Sequence, residues 1–224
     1  MKTAQGKLEE IYLDGSARIT CPPELTPAPG QYLLAHVRGS DAPLAVPLFS
    51  SLILPKSGFR TAPIIPASWH PGDILSLRGP IGHGFVLPAS ARKVLLVALD
   101  DSPARLQGLV AAALKQGAEV TLVCNESAAE LPEVVEVQPL NGLGESLKWA
   151  DYAAVDVNRE NLIQLRAMLA RSQQALAKLE AQVLVRAPMP CGALADCGVC
   201  ALTLRKDWKM ICKDGPVFGL RELI

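Results

Sequence analysis

The chain has 224 residues, half of them apolar and a fifth charged, with 22 basic side chains balanced by 22 acidic ones. That length gives one to two domains, and the zero net charge argues against a nucleic-acid binder, which needs a basic stripe. The longest apolar runs, Val94–Leu99 and Leu109–Leu114, are six residues each, far short of the ~18 that a membrane-spanning helix needs. The opening MKTAQGKLEE lacks the apolar stretch of a secretory signal, so the expected location is cytoplasmic. In that compartment the six cysteines are expected to bind metal or pack in a core rather than pair as disulfides.

Residues 1–90 read as short β-type runs, Ile11–Leu13, Tyr32–Val37, Pro43–Leu48 and Ile74–Leu77, separated by turn signals at Asp14-Gly15, Pro29-Gly30 and Pro71-Gly72. This texture predicts a small antiparallel barrel or sandwich. Residues 91–184 alternate between strand and helix. Val94–Leu99 reads as a buried parallel strand. Ser102 as N-cap and Pro103 at the first helical position open a helix with Leu106, Leu109, Val110, Ala113 and Leu114 on one face, and Gly117 closes it. Val120–Cys124, Val134–Val137 and Tyr152–Val157 are further strands, and Asn158 is expected to cap a long helix over Arg159–Leu179 with Leu162, Leu165, Leu169 and Leu176 on its apolar stripe. The pattern implies a parallel α/β layer.

Residues 185–224 hold four of the six cysteines, Cys191, Cys197, Cys200 and Cys212, spaced C-x5-C-x2-C-x11-C within 22 residues. Four thiolates this close in sequence can wrap one metal centre, and Gly192 and Gly198 between them permit tight loops whose N–H groups point at sulfur. The spacing is one residue longer in its first gap than the plant-type C-x4-C-x2-C…C arrangement of a [2Fe–2S] centre. Zinc is the rival, although zinc sites usually come as two close pairs, and only one CxxC is present. Cys21 and Cys124, in apolar strand-like settings, read as core residues.

Two more segments accompany the cysteines: Gly79-Pro80-Ile81-Gly82-His83-Gly84-Phe85 at the end of the barrel region, and Lys213-Asp214-Gly215-Pro216-Val217-Phe218 directly after Cys212. With Met189-Pro190 leading into Cys191, the whole chain resembles the electron-transfer subunit of NAD-linked dihydroorotate dehydrogenase, in the ferredoxin–NADP reductase superfamily. The resemblance implies an α+β multidomain fold: an FAD-type β-barrel (1–90), an NAD-type α/β layer (91–184) and a C-terminal [2Fe–2S] segment (185–224). It also implies Cys191, Cys197, Cys200 and Cys212 as iron ligands, a catalytic dihydroorotate dehydrogenase-like flavoprotein as partner, and a role in pyrimidine biosynthesis.

The nucleotide motifs depart from the family pattern. Its flavin signature aligns with Pro47-Leu48-Phe49-Ser50, so Phe49 and Ser50 become the flavin-contact candidates, with Gly82 and Gly84 giving close backbone approach. Pro47, however, stands where an arginine would neutralise the pyrophosphate. Arg60, in Ser57-Gly58-Phe59-Arg60-Thr61, is a candidate replacement. The turn after the first α/β strand reads Ala98-Leu99-Asp100-Asp101-Ser102, with no glycine and with carboxylates that satisfy the helix N-terminus where phosphates would sit. Val155-Asp156-Val157-Asn158 replaces the family's Cys-Gly-Pro segment. NAD binding is therefore not expected, and FAD rests on weakened motifs. The expected role is one-electron transfer as a subunit or partner of a redox enzyme, an oxidoreductase component without its own NAD chemistry. Two alternatives stay open: a non-catalytic assembly or regulatory protein with a structural metal, and a complete FAD-dependent NADH oxidoreductase subunit. No G-x-S-x-G, P-loop or H-E-x-x-H motif supports hydrolysis or phosphoryl transfer. His83 is read as a loop hydrogen-bonding residue, and the basic residues Arg205, Lys206, Lys209 and Lys213 as a solvated face.

Overall fold

A computed structural model describes residues 1–54, 58–100, 102–126, 131–204 and 207–224. The first six strands are β1 (Lys2–Ile11), β2 (Ala17–Thr20), β3 (Tyr32–Val37), β4 (Val46–Ile53), β5 (Phe59–Thr61) and β6 (Ile74–Ile81). They close an antiparallel barrel in the order β1-β2-β5-β4-β3-β6. Successive side chains on a strand face opposite ways, and β3 uses both faces. Leu33 and Ala35 fill the barrel with Leu8, Ile19, Phe59, Trp69, Leu75 and Leu77. Tyr32 and Leu34 point out of it, into a second core shared with the rest of the chain. The predicted first strand lies earlier than expected. The Asp14-Gly15 turn, with Gly15 at φ +78°, is closed by the Tyr12 N–H donating to the Ser16 carbonyl at 2.9 Å, which ends β1 at Ile11 and leaves Leu13 exposed.

The second layer begins with β7 (Lys93–Ala98), α1 (Ala104–Lys115), β8 (Glu119–Val123) and β9 (Glu136–Gln138). It continues with α2 (Leu143–Trp149), β10 (Tyr152–Asn158), α3 (Leu162–Leu169), α4 (Gln173–Lys178) and β11 (Glu180–Arg186). Strands β11, β10, β7, β8 and β9 lie parallel. Alternate residues of β7 feed the two sheet faces: Val94, Leu96 and Ala98 pack on Leu106, Leu109, Val110 and Ala113 of α1, while Leu95, Val97 and Leu99 face the core that reaches the barrel. Helix α1 starts at Ala104, one residue later than expected, and Ser102 Oγ accepts from the Ala104 N–H at 3.2 Å. Gly117 closes the helix at φ +75°, as its position required.

The helix expected over Arg159–Leu179 is broken. A 3-10 turn opens it at Arg159–Asn161, and a second at Ala170–Ser172 separates α3 from α4. The apolar stripe explains the break: Leu162, Leu165 and Leu169 are buried, whereas α4 buries nothing fully. Helix α2 had no counterpart in the sequence reading.

The remaining chain forms β12 (Ala201–Thr203), β13 (Trp208–Met210), α5 (Ile211–Asp214), β14 (Val217–Gly219) and α6 (Leu220–Leu223). Strands β12 and β13 make a small antiparallel hairpin. Strand β14 then joins the large sheet antiparallel to β11, giving the order β14-β11-β10-β7-β8-β9. The cysteine-bearing segment is thus anchored at both ends to the α/β sheet. No helix among the described residues is long and apolar enough to cross a membrane.

Candidate metal centre

The four cysteines of the C-terminal segment fall into two pairs. Cys200, just before β12, and Cys212, on α5, are fully buried, and the Cys212 N–H points at Cys200 Sγ at 3.5 Å. Cys191 and Cys197 lie toward solvent with their sulfurs 3.4 Å apart. Among the described residues no three His, Cys, Asp or Glu donors converge on one ion position. The pairs differ electrostatically. Burial and the neighbouring Cys200 thiol push Cys212 up to about 12. At Cys191 partial burial is outweighed by backbone hydrogen bonds from Ala195, Ala193 and Cys197 and by the Cys197 thiol, and the group is pulled down to about 7. Cys191 is therefore nearer the thiolate state that binds metal than Cys212 is.

The barrel forms the floor beneath this segment. Arg78 on β6 donates from Nη2 to the Cys191 carbonyl at 2.9 Å. Gly192, at φ +49°, lies so close that a Cβ there would collide with Leu34 Cδ1 and Arg78 Nη2. Tyr32, beside Leu34 on the outer face of β3, is fully buried. Its hydroxyl has no hydrogen-bond partner among the described residues, and it shares a core with Cys200, Cys212, Met189 and Ile211. Buried hydroxyls are nearly always partnered, so this one stands out among the described residues.

The two segments that carried the sequence resemblance bind each other. The His83 N–H donates to the Gly215 carbonyl at 2.6 Å, His83 Nδ1 lies 3.1 Å from the Asp214 carbonyl, and His83 bridges Pro216. The loop role read for His83 is what the structure shows. Gly82 at φ +79° has no room for a side chain, since a Cβ would meet Pro216 Cδ and, at 2.5 Å, the Gly215 carbonyl. A Cβ on Gly84 would meet the Pro29 carbonyl at 2.6 Å. Both glycines make close approaches to the chain's own backbone. Gly82→Ala is expected to force the cluster segment off the barrel and to cost roughly 2 kcal/mol or more, from a strained backbone and lost packing; urea unfolding measures it.

Phe49 and Ser50 lie on β4, both buried. Ser50 Oγ donates to the Pro27 carbonyl at 3.0 Å. The Phe49 ring sits 5.7 Å from the Tyr32 ring and 6.0 Å from the Arg105 guanidinium. Arg60, the candidate pyrophosphate partner, is held elsewhere: it pairs with Asp14 at 3.0 Å and stacks over Tyr12. Ser57, Asp101, Arg205 and Lys206 lie outside the described residues. Of the other basic residues near the cysteines, Lys209 pairs with Glu222 and Lys213 with Asp196, all partly exposed.

In the parallel sheet the strand order reverses between β7 and β10, and the crevice at their C-terminal ends is where this class of fold takes nucleotides. Here the crevice holds an internal ion-pair network that the sequence reading did not find. Asp156, 1% exposed, accepts from Arg186 Nε at 2.6 Å and Arg105 Nη1 at 3.3 Å. Arg186 Nη2 also pairs with Asp100 at 3.1 Å, and Asp100 accepts from the Asn158 N–H and the Asn161 amide. Arg105 Nη2 reaches back to the Pro63 carbonyl at 3.0 Å, joining α1 to the barrel. Asp100 was expected to neutralise the helix N-terminus; it is neutralised by Arg186 instead, because β10 and β11 bring that guanidinium closer. What remains open is a cleft of about 320 Å3 lined by Phe49, Pro63, Arg105, Asn158 and Arg186 among others.

Residues 188–224 match the family model for the iron–sulfur cluster binding domain of dihydroorotate dehydrogenase B. Among solved structures, an NADH-dependent reduced ferredoxin–NADP oxidoreductase, described in a study of flavin-based electron bifurcation, is similar over 98% of this chain and 89% of its own, at 19% identity and a TM-score of 0.74. The ferredoxin reductase of carbazole 1,9a-dioxygenase is similar over 81% of this chain and 68% of its own (12% identity, TM-score 0.62). A ferredoxin–NADP+ reductase from Neisseria gonorrhoeae, with bound FAD and NADP, matches over 83% and 98% (12% identity, TM-score 0.56). Residues 188–224 are therefore similar to the iron–sulfur cluster binding domain of dihydroorotate dehydrogenase B, and the chain has a ferredoxin–NADP reductase-like fold.

Proposed function

We propose that this protein is a one-electron carrier, the electron-transfer subunit or partner of a dihydroorotate dehydrogenase-like flavoprotein in the cytoplasm. In this reading Cys191 and Cys197 hold one iron of a [2Fe–2S] centre and Cys200 and Cys212 the other. The single observation that carries it is the arrangement of the four sulfurs in two pairs, one inner and one outer. A mononuclear zinc site needs all four donors around one point, whereas two irons each take a pair. When bound, such a centre takes up and releases one electron at a time.

The chain's own residues supply the setting. Cys200 and Cys212 exclude water from the inner side, and Arg78 and Gly192 lock the outer loop to the barrel. Leu194 and Val199, which flank Cys197 in sequence, and Trp208 on β13 are exposed and offer apolar anchors for a redox partner, with Trp208 the type of residue that dominates such contacts. The reading divides the chain into a barrel (1–90), an α/β layer (91–184) and a cluster segment (185–224), with β14 stitching the last to the second.

The nucleotide sites support a carrier without its own nucleotide chemistry. Ser50, Gly82 and Gly84, the flavin-contact candidates, are engaged by protein groups, and Phe49 packs between Tyr32 and Arg105. The Asp100–Arg186–Asp156–Arg105 network fills the crevice and presents its guanidinium groups to carboxylates rather than to phosphates. NADH titrated calorimetrically into the protein is expected to bind no tighter than the millimolar range; a submillimolar dissociation constant would overturn this part.

The test of the whole reading is a visible spectrum of anaerobically purified protein before and after dithionite, with a flavin assay on the acid supernatant. A brown protein that bleaches reversibly and releases no flavin is expected. Released FAD would restore the complete NADH oxidoreductase. A colourless, zinc-containing protein would overturn electron transfer and leave the structural-metal alternative.

A further inference from the structure

We propose that the Tyr32 hydroxyl donates a hydrogen bond to the inner, Cys200–Cys212 side of the cluster and holds its reduction potential up. The proposal rests on the assignment of those cysteines to an iron–sulfur centre.

Three observations carry it. The Tyr32 hydroxyl is fully buried and partnerless among the described residues, an arrangement that costs stability unless a bound group accepts its proton. In contrast Tyr152, equally buried, donates to Gln182 Oε1 at 2.8 Å, so a buried tyrosine in this fold finds a partner where one exists. Second, Tyr32 sits on the barrel face against which the cysteine segment is clamped. Leu34, two residues along the same face of β3, is met by Gly192, and Ile81, paired with Tyr32 across β3 and β6, leads into the Gly82–Pro216 contact. Third, Tyr32 belongs to the same core as Cys200 and Cys212, the two fully buried cysteines. The backbone N–H groups of the loops are the usual donors to such centres; here a side chain of the barrel, in the core that holds the two buried cysteines, is added.

The sign follows from charge. Reduction adds negative charge to the centre, and a hydrogen bond to its sulfur stabilises that charge. Tyr32→Phe keeps the ring and removes only the hydroxyl. The expected result is a lower midpoint potential in a redox titration of the loaded, full-length protein. At a fixed ambient potential the reduced-to-oxidised ratio should fall about three- to tenfold, tenfold being 59 mV for a one-electron couple. The same substitution in the metal-free protein should be neutral or stabilising, because it removes an unpaired buried hydroxyl. A merely structural role for the hydroxyl predicts an unmoved potential.

Visible absorption separates the two ways of failing. A wild-type protein with no cluster overturns the ligand assignment. A cluster present in both proteins with equal midpoints overturns the Tyr32 proposal alone. If Tyr32→Phe does not hold a cluster, wild-type chain carrying fluorotyrosine at its three tyrosines takes over the test. Its more acidic phenol should raise the midpoint, and an unchanged value would overturn the proposal.

Discussion

Asp156→Ala is expected to lower the unfolding free energy by about 3–5 kcal/mol, the range for breaking a buried ion pair by removing one partner. Asp156 is 1% exposed and accepts from two guanidinium groups, Arg105 and Arg186. Alanine removes the carboxylate that Arg105 and Arg186 share, while Arg186 keeps its pair with Asp100. The loss is therefore chiefly the desolvation cost of buried cations that have lost an acceptor, not the net worth of the original pairs. Asp156→Asn, which keeps an acceptor of the same shape, should cost less. Denaturant unfolding of the two variants against wild type measures both, and a loss under ~1 kcal/mol for alanine would mean that the network behaves like a surface ion pair. The fold has a reason to depend on it: Arg105 also holds the Pro63 carbonyl, so the network fastens the α/β layer to the barrel at the place where related folds bind nucleotide.

Cys212→Ser is expected to abolish the visible absorption of the cluster completely and to reduce bound iron to near zero per chain. Cys212 is fully buried beside Cys200, so no water or other side chain can replace the lost sulfur. The serine hydroxyl would also enter an apolar core at a cost of about 1–3 kcal/mol. Cys197→Ser, at the solvent-facing pair, should instead leave a labile centre with a shifted spectrum, since solvent reaches the vacant position. Iron and sulfide analysis with visible circular dichroism distinguishes the two. Equal loss in both variants would contradict the division into an inner and an outer pair. Because metal binding contributes directly to folding free energy, the buried-ligand variant should also melt at lower temperature.

Much of this architecture is local in sequence and was legible there. The C-x5-C-x2-C-x11-C spacing brings four thiols within 22 residues, and the folded segment gathers them as two pairs, Cys191 with Cys197 and Cys200 with Cys212. The barrel-then-α/β order follows from a change of period, from short alternating runs before Ser90 to Val94–Ala98, the α1 stripe and Val120–Val123 after it. The turn glycines 15, 30, 72 and 117 all adopt positive φ, as their neighbours suggested. His83 was readable as a loop residue because glycines flank it. Two segments far apart in sequence, around His83 and Pro216, turned out to be halves of one contact, which explains why both look so specific.

The rest was decided by tertiary structure. Asp156 pairs with Arg105 and Arg186, 51 and 30 residues away, and Asp100 with Arg186, 86 away. No local pattern marks such partners: each is an ordinary charged residue until the parallel sheet carries the strand ends together and removes water, which is what turns a charge into an obligatory pair. The break between α3 and α4 depends on where the core ends, not on a helix-breaking residue. Tyr32 reads in sequence as one more strand residue, and only closure of the barrel under the cysteine segment buries its hydroxyl in the core that holds Cys200 and Cys212. Sequence by itself singled out the four thiols that are candidate metal ligands, because thiol chemistry and short spacings are local. Tertiary structure alone decided which charges meet at the crevice between β7 and β10 and which buried hydroxyl has no partner among the described residues, because burial, and the penalty for an unpartnered polar group, exist only once the chain has folded.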